Sequence, residues 1–418
     1  MKQPGIVIIG AGQAAAVAAH ALREHGYQGC ITMLGRERHK PYERPHLSKA
    51  VLVAAEEPAL QVLAEDAWTR CNIEFAGGID VIALDLEKRQ VRLSDGRVLD
   101  YDKCLLATGG EARVHDSLPR SLRGVHYLRT LDDARRLREV LRHKPRVAIM
   151  GGGFLGLEVA HSALSAGASV TVVEQAACLL DRFLTAEASA HVLSGLRAAG
   201  AQVLLGSSVS TICTPPDGPI QLKTDTGLAL DADEVVVAIG LQPNDALARD
   251  AGLDIAQGGG VWIDTACRTS DEHVFACGDC TSQLRPGQAR PTRLESWQNA
   301  NEQARMAAAA MLAEPPPAAP VPWFWTDQGS LNIQILGHPA PGLEYVRRGN
   351  PAAGKALWIG HRHSVPVHGV AFNAGADLRA IRPLFEKGIP VSLEEFSSDA
   401  VNLRTWAKQM QSQAAVAL

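Results

Sequence analysis

The chain contains one short pattern twice, and that repetition restricts its fold more than any other feature. Ile6-Val7-Ile8-Ile9 runs into Gly10-Ala11-Gly12-Gln13-Ala14-Ala15, an alanine-rich helical stretch continues to Arg23, and Ile31 to Leu34 reads as the next strand. About 140 residues later Val147-Ala148-Ile149-Met150 runs into Gly151-Gly152-Gly153-Phe154-Leu155-Gly156, Phe154 to Ala166 is helical, and Val170 to Val173 is again a strand. Strand, glycine turn, helix and strand form the opening half of a doubly wound parallel sheet. The glycines meet narrow demands. The first makes the tight turn, the second lets a pyrophosphate reach the backbone, and a small third residue lets helix and strand pack. Gly10, Gly12 and Ala15 fill these places in the first copy, and Gly151, Gly153 and Gly156 in the second. The expected fold is therefore α/β, with two Rossmann-like dinucleotide-binding domains.

The remaining sequence places these units in a larger chain. At 418 residues it exceeds what one core usually supports. A net charge of -4 argues against nucleic acid or an anionic membrane as main partner. No apolar run reaches membrane-spanning length without interruption. Ile6 to Ala19 is apolar like the middle of a signal peptide, but it carries Gly10 and Gly12 at motif spacing and is led by one cation, Lys2. The eight cysteines are mostly isolated, as reduced thiols would be, and a cytoplasmic protein is expected. Val91 to Leu99 alternates like a hairpin turning at Asp95-Gly96, and a similar alternation spans Gln221 to Leu230. Cys104 to Gly109 and Val235 to Gly240 are apolar strands ending in glycine, read as crossings out of and back into the first domain. Pro315 to Pro320 is a stiff linker. The expected division is a first domain of residues 1–113 and 243–316, a second of 114–242, and a C-terminal α+β domain of 321–418 with strands at Leu331 to Leu336 and Ala356 to Gly360. Arg135, Arg136, Arg138 and Arg142 form a charge run on a helix, read as a solvated face.

Glu174 ends the strand after the second glycine loop. There a carboxylate accepts hydrogen bonds from the ribose hydroxyls of NADH and repels the extra phosphate of NADPH. In the first copy Gly35 holds that place, followed by Arg36 and Glu37, so the ribose contact falls somewhere in 35–37, with Glu37 the carboxylate candidate. Val274-Phe275-Ala276-Cys277-Gly278-Asp279 is an apolar strand with a Gly-Asp turn, whose carboxylate suits a ribityl hydroxyl of FAD. Cys277 and Cys280 form a CxxC, but a four-thiol metal site needs a second pair, and no metal is expected.

In this order the three signals resemble the FAD-dependent pyridine-nucleotide reductases with two dinucleotide domains, along essentially the whole chain. Disulfide reductases of that class carry a redox cysteine pair after the second strand. Here the region reads Pro41-Tyr42-Glu43-Arg44-Pro45-His46-Leu47-Ser48-Lys49, without cysteine. That segment, with Arg293 to Ala300 and Val321 to Gln328, resembles the ferredoxin reductases of bacterial oxygenase systems, and Trp297 resembles those serving aromatic-ring-hydroxylating dioxygenases. The resemblance implies FAD contacts from Ala14, Lys49, Val81, Arg129, Asp279 and Trp297, with Arg36 standing where the family often has an acid. It pairs Lys49 with Glu158 near the flavin's reacting nitrogen and puts Trp325 near the flavin edge; packing of Trp323 and Trp325 within the C-terminal domain is the alternative. The implied activity is NADH to FAD to a transiently bound [2Fe-2S] ferredoxin, by a monomer or homodimer. Rubredoxin or putidaredoxin-type reduction, or slow redox sensing with FAD and NADH, are the alternatives.

Overall fold

The computed structural model describes residues 5–216, 218–285 and 290–417. The chain divides into two compact units: Met1–His46, Pro58–Ala112 and Leu241–Ala319 form one, and Leu47–Glu57, Arg113–Gly240 and Pro320–Leu418 the other.

In the first unit a parallel sheet runs Ile73–Gly77, Ile31–Gly35, Gly5–Ile9, Val98–Leu106, with Val274–Ala276 paired to the last of these. All five residues of Gly5–Ile9 are buried, as expected of a parallel strand covered on both faces. Gln13–Glu24 packs against Trp297–Met311. Both helices bury rows of alanine, Ala14, Ala15, Ala18 and Ala19 on one and Ala300, Ala304, Ala307 and Ala308 on the other. Side chains this small let the two backbones approach closely. Gln90–Leu93 and Val98–Leu106 form the expected hairpin, with Gly96 at φ 89°.

The second unit repeats the plan. Its parallel sheet runs Gln202–Leu204, Ser169–Val173, Arg146–Met150, Glu234–Val237, Val125–His126. In both sheets the strand before the glycine loop has its β-α-β partner on one side and a later strand on the other. This is the topological switch point where open α/β sheets bind ligands. The Gln221 to Leu230 alternation becomes Ile220–Thr224 paired with Ala229–Ala232. The same unit carries a five-stranded antiparallel sheet, ordered Trp323–Gln328, Leu331–Gly337, Val365–Phe372, Lys355–Arg362, Glu344–Asn350. Leu378, Ile381, Leu384 and Trp406 from Gly375–Glu386 and Leu403–Ala417 close its core.

Residues 47–57 lie within the 1–113 stretch expected to form the first domain, yet they group with the second unit, and the arginine run explains how. On helix Leu131–Leu141, Arg138 donates to the carbonyls of Ala54 and Ala55 at 2.6 and 2.9 Å, and Arg135 makes a two-pronged pair with Glu57 at 2.7 and 2.8 Å. Only Arg136 and the helix-ending Arg142 behave as a solvated face, pairing with Asp133 and Glu139 three residues back. The charge run is partly a clasp.

Candidate functional site

The two glycine loops have the same construction. Gly10 N–H donates to Leu34 O and Ala107 N–H to Ile9 O, both at 2.8 Å; Gly151 N–H donates to Val173 O at 2.9 Å and Ala238 N–H to Met150 O at 2.8 Å. Gly10 and Gly151 have φ of 116° and 107°, and a Cβ on either would lie 2.1 Å from Ala107 O or 2.4 Å from Ala238 O. Both are therefore confined to glycine by conformation and by space. Gly12 and Gly153 differ: each is extended, with nothing within 4 Å of an added Cβ. They cap helices Gln13–Glu24 and Phe154–Ser165 without a capping side chain, which leaves first-turn N–H groups and an open approach for an anion. Gly156 would carry its Cβ to 2.0 Å from Gly151 O, whereas Ala15 fits its place fully buried.

In the first unit the other expected residues gather round the loop. A Cβ on Gly278 would sit 3.2 Å from that of Ala14, so the Gly-Asp turn lies against the first turn of the motif helix. Asp279 follows, half-buried, and Gly278 N–H donates to Gln303 Oε1 at 2.8 Å. A short strand, Thr281–Gln283, comes next, and among the described residues the following helix is Trp297–Met311, with Ser296 as its cap. Val81 opens the strand Val81–Asp85 and is half-buried, and Trp297 is 36% exposed. Gln13 Oε1, at the helix head, is buried without a hydrogen-bond partner. Glu37 accepts from Tyr42 Oη at 2.5 Å and Arg44 Nη2 at 2.7 Å. Burial opposes the Arg44 charge, but Tyr42 and Glu37, with a smaller contribution from Asp279, outweigh it and raise the guanidinium's pKa above its ordinary value. Arg44 thus braces Glu37 just beyond the strand Ile31–Gly35, a role that the sequence reading missed. Arg36 is drawn away into exposed pairs with Asp80 at 2.6 Å and Glu111 at 2.5 Å.

In the second unit Glu174 Oε2 accepts from Gly152 N–H and Oε1 from Ala176 N–H, each at 2.6 Å, which fixes the carboxylate beside the glycine loop. Arg129, half-buried, directly precedes Thr130, the cap of helix Leu131–Leu141, and its N–H donates to Asp133 at 3.1 Å. Lys49 and Glu158 meet at 3.0 Å, with Glu158 only 8% exposed. Ser48 Oγ donates to Glu158 Oε2 at 2.5 Å and Thr326 Oγ1 to Oε1 at 2.6 Å, while Asp327 Oδ2 lies 3.6 Å from Lys49 Nζ. Ser48 lies in the segment 41–49 and Thr326 and Asp327 in 321–328, but nothing in their spacing shows that they converge. Trp325 and Trp323 stack with centroids 5.3 Å apart and ring planes 20° apart; Trp323 also packs on the C-terminal core.

Cys277 and Cys280 are fully buried, Cys280 Sγ contacts Cys277 O at 3.3 Å, and burial pushes both thiols up. Neither is a poised thiolate.

Two glycine cradles with open helix ends, a fixed acid beside the second and an orphaned polar atom beside the first fit two dinucleotides. These features define the class of flavin- and pyridine-nucleotide-dependent oxidoreductases with two nucleotide folds. Residues 4–304 match the pyridine nucleotide-disulphide oxidoreductase family model, and residues 323–407 the reductase C-terminal model. The covalent putidaredoxin reductase–putidaredoxin complex contains a chain 32% identical, with a TM-score of 0.92, covering 98% of this chain and 100% of that one. A ferredoxin reductase for the CYP199A2 system from Rhodopseudomonas palustris is also 32% identical, with a TM-score of 0.90, covering 97% and 100%. A NAD-dependent persulfide reductase from A. fulgidus, 22% identical with a TM-score of 0.83, shares the fold. The chain belongs to the pyridine nucleotide-disulphide oxidoreductase family and matches the FAD-dependent ferredoxin reductases within it; it is an oxidoreductase that uses FAD and NAD(H).

Proposed function

We propose that the protein transfers electrons from NADH through FAD to a [2Fe-2S] ferredoxin that feeds an oxygenase, with an aromatic-ring dioxygenase the first candidate. One observation carries the reading: two complete dinucleotide cradles accompany a half-buried lysine paired with a buried glutamate, and the lysine's segment has no cysteine where thiol-relay relatives would have two. FAD supplies the exchange between a two-electron donor and a one-electron acceptor. The chain's own residues bind and orient. Gly10, Gly12, Ala14, Ala15, Glu37, Val81, Arg129, Asp279 and Trp297 hold FAD, with Arg44 bracing Glu37. Gly151, Gly153, Gly156 and Glu174 hold NADH. Lys49, oriented by Glu158, would present a positive charge to the flavin, which favours negative charge on its ring. Trp325 faces the acceptor. For each NADH oxidised, two ferredoxins are reduced and one proton is released.

The functional domains on this reading are residues 1–113 with 243–316 for FAD, 114–242 for NADH and 321–418 for the acceptor. Eight unpaired thiols are consistent with a reducing cytoplasm, and a monomer or homodimer is the expected assembly. Trp297 supports the dioxygenase assignment. The two neighbours named for putidaredoxin and the CYP199A2 system favour the second reading, a putidaredoxin-type reductase of another oxygenase system. NADH-driven reduction of a panel of dioxygenase ferredoxins, putidaredoxin-type ferredoxins and rubredoxin separates them. The proposal expects the highest kcat/KM with a dioxygenase ferredoxin; a clear preference for the second group would transfer the assignment, and rubredoxin alone would defeat both.

A further inference from the structure

Glu158 and Ser162 lie one turn apart on the same face of helix Phe154–Ser165. Both hold the segment that carries Lys49: Ser162 Oγ donates to the Ser48 carbonyl at 2.6 Å, and Ser48 Oγ donates back to Glu158 Oε2. The other carboxylate oxygen accepts from Lys49 Nζ and Thr326 Oγ1 together. Thr326 is 1% exposed, and its hydroxyl oxygen already accepts from Gln328 Nε2 at 2.7 Å. A hydroxyl has one proton, so with its oxygen engaged by Gln328 that proton is aimed at Glu158.

Lys49 has a second anionic neighbour. Asp327 is the next residue on the strand, its carboxylate about 40% exposed, with Oδ1 held by Asn332 at 2.7 Å and Oδ2 at 3.6 Å from the ammonium. The lysine therefore stands between a buried carboxylate fixed by two hydroxyls and a more exposed one fixed by none. An ammonium is a point charge on a flexible stem and follows the better-placed anion. Without its hydroxyl donors, Glu158 could rotate and Lys49 could move toward Asp327.

We propose that Thr326, together with Ser48, is a positioning residue for hydride transfer: the two hydroxyls orient Glu158 and thereby keep Lys49 on Glu158 in preference to Asp327. The inference rests on the reading of Lys49–Glu158 as the flavin-side ion pair, which E158Q tests by itself.

Thr326→Val keeps the shape and removes the donor, and Thr326→Ser keeps the donor. In the FAD-loaded full chain, anaerobic flavin reduction at saturating NADH should slow roughly tenfold in T326V, from loss of a hydrogen bond to a charged group, with little change in the NADH concentration at half-maximal rate. The flavin midpoint potential should become more negative, because a displaced cation stabilises the reduced ring less. T326S should restore both, and adding Asp327→Asn to T326V should restore part of each. In an E158Q background T326V should change neither. Ser48→Ala should reproduce the direction of both changes, which keeps the test usable if T326V folds poorly. If E158Q alters rate and potential while T326V and S48A leave both at wild type, the proposal is wrong and the ion-pair reading survives. Equal losses from T326V with and without Glu158 would also overturn it. If E158Q itself moves nothing, the underlying reading fails as well.

Discussion

Glu174 shows how one carboxylate can shape a loop and select a ligand. Two backbone N–H groups hold it in place, and each oxygen keeps a second lone pair for a ribose hydroxyl. Glu174→Arg removes both clasps and reverses the charge. NADH kcat/KM should fall roughly 10- to 100-fold, and the NADPH to NADH ratio should rise. Steady-state kinetics with both nucleotides check this, and an unchanged ratio removes Glu174 from the ribose site. Lys49 is the second test. Among the described residues its ion-pair partners, Glu158 and Asp327, lie in the second unit, so Lys49→Ala should slow anaerobic flavin reduction on the order of 100-fold while the protein stays yellow. Loss of FAD on purification would instead make Lys49 a cofactor anchor.

The glycine loops separate folding from binding within four residues. Gly10→Ala places a methyl 2.1 Å from Ala107 O at φ 116°, so the strand end must distort, and both the melting temperature and FAD binding should drop. Gly12→Ala meets no protein atom within 4 Å. Its FAD-free melting temperature should be unchanged while FAD affinity, measured by fluorescence titration, falls at least roughly tenfold. Equal destabilisation by the two variants would contradict the cradle. The loops were legible in the sequence because strand, turn and helix are local and each glycine has a local reason. The clasp around Glu158 was not. Ser48 lies 110 residues from it and Thr326 168, and no periodicity records which hydroxyl a buried carboxylate will meet. Arg44 was obscure for the same reason. The Arg135 to Arg142 run shows the converse: a charge pattern read as solvent-facing became half a clasp, because Glu57 and two bare carbonyls stand opposite it.

Across the whole molecule, stability toward acid should depend on the C-terminal sheet. His368 is fully buried, its Nδ1 shares a hydrogen bond with Tyr345 Oη at 2.8 Å, and burial, with a contribution from His338, lowers its pKa from 6.5 to about 4. A histidine kept neutral in the fold contributes full stability above its unfolded pKa. That stability is lost as pH falls from about 6.5 through about 4, because the unfolded chain takes up the proton first. Calorimetry should show the melting temperature falling over this window, and His368→Gln should flatten the fall; an unchanged slope would assign the acid loss to other groups. The division into two nucleotide folds was readable from the repeated motif, whereas the grouping of Leu47–Glu57 with the second unit depends on tertiary contacts alone.

On the proposed function, flavin alone, without a thiol relay, joins NADH to an external iron–sulfur centre. Anaerobic stopped-flow mixing of the FAD-loaded protein, alkylated beforehand at its accessible thiols Cys30 and Cys213, with NADH and excess [2Fe-2S] ferredoxin tests it most directly. The flavin should bleach, two ferredoxins should be reduced per NADH consumed, and alkylation should change neither rate. A flavin that does not bleach, or transfer abolished by alkylation, would contradict it.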